Sequence, residues 1–340
     1  MSRLNSGLCL CLLLSSCWCA AQRYEVTDLG SCPGGGMSQS YAINNHNQVA
    51  GYCTTRTGDK HAFRWSDGAM QDLGTLPGGV FNIAYGINEA GQVVGVSDVG
   101  AGDWHAFLWS DDGMRDLGSF AGGHYSEAYD INNGGKIVGD AYSVTVGRRP
   151  FLYFHNSMWD LGTLPNGHGG QAFSINDAGL VVGYTITQTN DMHAFLRSKD
   201  VMRDLGTLPQ GKWSQACAVS NSGHVVGVAD VGENRFHAFM WTKGVMHDLG
   251  ALPGGKTSWA FGVNSAGKAV GQADNVAVLF SEGKVRDLNT LIPSEPGWTL
   301  FEARAINASG LITGTGLILA TGTVHAYLLR PIGPAGSRPH

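Results

Sequence analysis

The sequence predicts an all-β fold: a seven-bladed β-propeller with four antiparallel strands per blade, closed by the N-terminal strand pairing in the last blade. Three observations carry this. Asp-Leu-Gly starts at Asp28, Asp72, Asp116, Asp160, Asp204 and Asp248, always 44 residues apart, and a seventh copy ending in Asn289 starts at Asp287. A period of that size marks a solenoid or a propeller. Each unit holds four short strand-like pieces bounded by Gly, Asn, Asp and Pro, and no segment sustains the 3.6-residue period of a helix. The pieces are also offset: an Asp-Leu-Gly strand, residues 24–29, precedes the first full unit, and the last unit stops at its third strand, residues 325–329. A ring follows if the first strand supplies the missing fourth, which removes an exposed sheet edge. An open solenoid would need capping repeats instead.

Composition agrees. Glycine is 50 of 340 residues and 43% of the chain is apolar, while only 14% is charged. Disordered chains are poor in apolar groups and rich in charge, and collagen would need glycine at every third residue. A net charge of −5 excludes the basic footprint of a nucleic-acid surface.

Taken in order, residues 1–21 read as a secretory signal peptide: Arg3, an apolar run from Leu8 to Leu14, and a small-residue site ending at Ala21. The run is far shorter than the ~18 residues of a membrane span. In the alternative, Leu14-Ser15-Ser16-Cys17 resembles a bacterial lipobox and Cys17 carries a lipid anchor. Residues 22–331 form the propeller and 332–340 an irregular tail. Four of the seven cysteines fall in the leader. Cys32, Cys53 and Cys217 remain, read as three separate small buried residues, with a Cys32–Cys53 bridge as the alternative.

In the second unit the strands are predicted at 82–88, 92–97, 105–109 and 114–117. Between the first two runs Asn-x-x-Gly, whose last position is Gly91, Gly135, Gly179, Gly223, Gly267 and Gly310, with Asn47 in the first unit. Six glycines and one asparagine in one slot predict a positive φ closing a tight hairpin. A second glycine recurs inside the second strand: Gly51, Gly95, Gly139, Gly183, Gly227, Gly271 and Gly314. A strand glycine weakens pairing, so its recurrence predicts a bulge or a large side chain packed on the backbone.

The motifs DLGTLPGG (72–79), GINEAGQVVG (86–95) and HAFLW (105–109) together resemble the HAF-repeat family of extracellular bacterial proteins. The resemblance covers roughly 24–330. It implies secretion and a propeller-like fold, and supplies no shared catalytic residues. Arg149-Pro150-Phe151 and Val276-Ala277-Val278 depart from it, replacing His-Ala-Phe.

His61, His105, His193, His237 and His325 share one slot. A third strand lies away from the axis, so these residues stand too far apart to hold one metal ion, whose ligands sit about 2 Å from it. Each is expected to hydrogen-bond within its own blade, and each Asp of Asp-Leu-Gly to accept a turn N–H. No metal or cofactor is implied.

Function must lie where the units differ. The connections between strands two and three (54–60, 98–104, 142–148, 186–192 and 230–236) vary, and loops varying on a constant scaffold carry binding sites. Asp103, Trp104, Arg148 and Glu233 are the candidates there. A second variable pair leads into each inner strand, offering Phe81, His124, Tyr125, His168, Lys212 and Trp213 around the channel mouth. The expectation is a secreted recognition module for a glycan, envelope component or protein. A structural envelope protein is the alternative. Catalysis is the weaker reading: there is no nucleophile elbow, phosphate loop or His-Glu-x-x-His, and no carboxylate pair can be matched from spacing.

Overall fold

The computed structural model describes residues 23–294 and 297–332. The predicted leader, the Cys17 anchor and the tail beyond Ile332 lie outside the described residues. Seven four-stranded antiparallel sheets stand around one axis. Blades 1 to 6 occupy 38–72, 82–116, 126–160, 168–204, 214–250 and 258–287. Blade 7 takes three strands from 298–332 and its outermost from Arg23–Asp28, which pairs with Thr323–Ile332 from Arg23↔Ile332 to Asp28↔Tyr327. The clasp is therefore as expected. One short 3₁₀ turn, Leu288–Thr290, is the sole helical segment among the described residues, and no helix is long and apolar enough to cross a membrane.

The repeat motif now resolves into separate physical duties. In His-Ala-Phe, the histidine Nδ1 donates to the aspartate of Asp-Leu-Gly at 2.8–2.9 Å in five blades, His325 reaching Asp28 across the clasp. In blade 3 the Arg149 Nε takes this part toward Asp160 at 3.1 Å. The alanine is fully buried, and in most blades its N–H donates to the Ser or Asn opening the next inner strand, as Ala106 does to Ser126 Oγ at 2.8 Å and Ala62 to Asn82 Oδ1 at 2.7 Å. The phenylalanine fills the space between sheets: Phe63, Phe107, Phe151, Phe195 and Phe239 are all fully buried. Each aspartate also accepts the N–H two residues on, at 2.7–2.9 Å.

The hairpin slot has positive φ throughout, from 64° at Asn47 to 83° at Gly223. The first Asn of Asn-x-x-Gly has a role the sequence reading missed. Its amide donates to the equivalent carbonyl of the next blade: Asn44 to Asn88, Asn88 to Asn132, Asn132 to Asn176, Asn176 to Ser220, then Asn264 to Asn307 and Asn307 back to Asn44. The belt breaks only at Ser220, whose side chain is too short. In blade 6 the connection between strands two and three shrinks to Asp274-Asn275, both at positive φ, which accounts for the short interval before the seventh Asp-Leu copy.

One expectation is corrected. Cys32 and Cys53 are joined by a disulfide rather than standing as separate thiols. The Cα atoms lie 5.5 Å apart because the loop after the clasp folds back on the second strand of blade 1, a proximity that spacing alone does not reveal. Cys217 is free.

Candidate functional site

The first strand of each blade borders the axis, and each carries a one-residue bulge, as between Ser40 and Ala42 or Ala84 and Gly86. The extra residue breaks the two-residue alternation of a strand and turns its side chain into the lumen. These residues are Tyr41, Tyr85, Tyr129, Phe173, Cys217, Phe261 and Arg304, and all of them line an axial cavity of 470 Å³. Below them a collar of isoleucines and valines, from Ile43 to Ile306, separates this cavity from the asparagine belt at the uniform end.

A second cavity, of 370 Å³, lies at the variable end between blades 2 and 3, lined by Gly102, Trp104, His124, Tyr125, Tyr142 and Arg148. Backbone pairing brings these loops together. The Trp104 N–H donates to the His124 carbonyl at 3.1 Å, the Tyr142 N–H donates to the Tyr125 carbonyl at 2.9 Å, and Trp104 and Tyr125 form a parallel bridge. The lead-in of blade 3 is thus stitched both to the preceding blade and to its own variable loop. The His124 ring lies 5.5 Å from that of Tyr142, and the Arg148 guanidinium 5.2 Å from that of Tyr125.

A polar network fixes this wall from beneath. Arg148 grips Asp140 through Nε and Nη2, the latter at 3.1 Å, and Nη2 also donates to the Tyr125 hydroxyl at 3.2 Å. Tyr125 and Tyr129 donate to the Glu127 carboxylate at 2.6 and 2.7 Å. Gln171 from blade 4 donates to Asp140 at 2.8 Å and to the Tyr129 hydroxyl at 2.9 Å, and accepts from Tyr184 at 2.9 Å. Burial pushes the Asp140 carboxyl up, and Arg148 pulls it part of the way back. Burial works against charge on Arg148 too, but Asp140 more than offsets it and holds the guanidinium protonated. Both carboxylates are spent on holding other side chains, leaving Trp104, His124, Tyr142 and the exposed edge of Arg148 to meet a ligand.

Four sequence candidates, Trp104, His124, Tyr125 and Arg148, therefore share one pocket. Phe81 packs edge-on against Trp104, ring centroids 5.0 Å apart, and Asp103 precedes Trp104 in the same loop. The others stand on blades 4 and 5. His168 opens the inner strand of blade 4, and the Lys212 N–H donates to Asp230 at 3.2 Å. Trp213 packs on Phe236 at 5.5 Å and Trp259 at 6.1 Å, and Glu233 pairs with Arg235 at 3.4 Å. Glu127 and Asp140 were missed by the sequence reading. A column-by-column comparison carries the signal for Asp140: the equivalent positions are Tyr52, Val96, Tyr184, Val228, Gln272 and Thr315, none of them ionised at neutral pH.

No protein-family model matches the chain, and no curated protein sequence does. Solved structures match over most of its length. A Mycobacterium tuberculosis puromycin-hydrolyzing peptidase is 10% identical with a TM-score of 0.52, over 89% of this chain and 56% of that one, so the chain spans little more than half of that protein. The β-propeller domain of the trilobed protease from Pyrococcus furiosus, described as having an open velcro topology, is 6% identical with a TM-score of 0.51 over 93% of this chain and 100% of that one. An Aleuria aurantia lectin mutant in complex with Fucα1-6GlcNAc is 8% identical with a TM-score of 0.36, over 93% and 98%. At such identities the likeness shows the fold alone: this chain is similar to β-propellers.

Proposed function

We propose that this protein is an exported recognition module of the HAF-repeat kind, and that it binds a glycan in the pocket between blades 2 and 3. The observation that carries the proposal is convergence: side chains that break the repeat gather in one 370 Å³ cavity at the variable end. Aromatic faces beside a few fixed polar groups are the lining of a small-molecule site. Sugars present C–H faces to such rings, while their hydroxyls take hydrogen bonds from His and Arg. Export is supported by the leader and by the Cys32–Cys53 bridge, since disulfides persist in oxidising compartments. Binding is favoured over hydrolysis because Glu127 and Asp140 are held by Tyr125, Tyr129, Arg148 and Gln171.

A glycan array on the protein, followed by calorimetry on the hits, tests this. Trp104→Ala and His124→Ala are expected to weaken binding at least about tenfold, roughly 1.4 kcal/mol, with no product formed from the bound sugar. No hit on the array, or hits whose affinity both variants retain, would sink the proposal.

A further inference from the structure

The axial cavity is larger than the pocket between blades 2 and 3 and has no part in the glycan reading. Its lining is unlike the collar below it. A channel filled only for stability is served by aliphatic residues, as the collar is. One step nearer the variable end, aromatic rings stand around a space instead. Tyr41 and Tyr85 meet at 5.2 Å, Tyr85 and Tyr129 at 5.5 Å, and Tyr129 and Phe173 at 5.0 Å, tilted or edge-on. On the other side the Arg304 guanidinium lies between Phe261 at 4.3 Å and Tyr41 at 5.3 Å, continuing the belt as a flat cation. The belt is open only at blade 5, where Cys217 takes the slot.

Two further facts restrict what this cavity accepts. The Arg304 charge is already matched by Glu302 at 2.7 Å, yet its buried Nε has no hydrogen-bond partner. Buried polar atoms are nearly always paired, so this N–H wants an acceptor that brings no charge. Of the other groups on the wall, burial pushes the Cys217 thiol up to about 12 and raises the Tyr41 phenol, keeping both protonated, and the one carboxyl, Asp130, already accepts hydrogen bonds from Ile131, Ser174 and Ile175. A sugar, with a hydroxyl on nearly every carbon, would leave most of them unpaired against these rings.

We infer that the axial cavity is a second binding site, for an uncharged planar aromatic compound bearing a carbonyl-type acceptor. The ring stacks against the aromatic belt and the acceptor oxygen takes the Arg304 Nε–H.

Three probes of one shape separate the possibilities: benzamide (neutral), benzoate (anion) and benzamidinium (cation), with methyl α-glucoside as the sugar. Ligand-observed NMR titrations on the protein should show benzamide binding most tightly of the four. Cys217→Tyr, which adds at blade 5 the ring that blades 1 to 3 carry, should weaken benzamide at least fivefold by occupying the space. Arg304→Met should weaken it similarly. Trp104→Ala should leave it unchanged, which separates this site from the glycan pocket. Should Arg304→Met fail to fold, Cys217→Tyr still decides. The inference is overturned by any of three results: no benzamide binding up to its solubility, unchanged affinity in Cys217→Tyr, or stronger binding of benzoate, benzamidinium or the glucoside.

Discussion

A carboxyl set into the wall of the axial cavity depends heavily on its hydrogen bonds, and Asp130 receives three. The Ile131 N–H donates at 2.8 Å, the Ser174 hydroxyl at 2.9 Å and the Ile175 N–H at 2.9 Å, the last two from blade 4. Burial outweighs them and pushes the carboxyl up to about 6, with Asp177 adding to the rise. The folded value lies above the unfolded one, about 3.9, so folding favours the protonated form. That stabilisation is complete below pH ~4 and is lost as pH rises through about 6, by about 3 kcal/mol on the two-unit difference. Asp130→Asn keeps an acceptor and abolishes the charge. Urea midpoints at pH 4.5 and 7.5 should therefore differ less in the variant than in the parent, and equal differences would refute this account. The His–Asp pairs act differently: each aspartate is more than a third exposed, so each pair contributes little alone. Their worth lies in holding the third strand to the fourth, which Arg149 does equally well in blade 3.

Among the elements, the second strand of each blade shows why its glycine recurs. A Cβ on Gly95 would lie 1.9 Å from the Ile83 carbonyl oxygen, and the six equivalent glycines would meet the same inner-strand carbonyl at 1.8–2.0 Å. The bulge is real but belongs to the neighbouring inner strand. What lies nearest the glycine is backbone, joined in blades 3 and 7 by the rings of Phe151 and Tyr327, which approach within 2.8 Å. Backbone cannot swing aside as a side chain can. Gly95→Ala should cost about 3 kcal/mol or more. Gly91→Asn, at φ 73° in the slot where Asn47 sits at 64°, should cost less than about 1 kcal/mol. Thermal melts of the two variants compare them directly, and a similar loss in both would contradict the steric argument.

At the scale of the whole molecule, stability depends on ring closure. The first strand completes the last blade, and burial working against the Asp28 carboxylate is more than offset by His325 and the Gly30 N–H, which hold it below the usual range. The Cys32–Cys53 bridge closes a 21-residue separation between the loop after the clasp and blade 1. Chain entropy assigns such a loop about 3 kcal/mol. Reduction, or Cys32→Ser with Cys53→Ser, should lower the melting temperature by about 5 °C. An unchanged melt would show that blade 7 is held without the staple.

Much of this protein was legible in its sequence. The 44-residue period, the offset of the strands and the positive-φ slot are local properties, repeated so often that one unit explains the rest. They determined the seven blades, the clasp and the bonding of each histidine within its blade, while the structure alone identified the Asp-Leu-Gly aspartate as the partner. The candidate site was legible only in part: Trp104, His124, Tyr125 and Arg148 stood out as variable, while Glu127, Asp140 and Gln171 did not. Which of these residues meet was decided by tertiary structure. A bulge in the inner strands breaks the alternation from which a side chain's direction is read, turning Tyr41 and its equivalents to the axis. Adjacent blades then bring together residues such as Asp140 and Gln171, whose separation along the chain carries no trace of their contact.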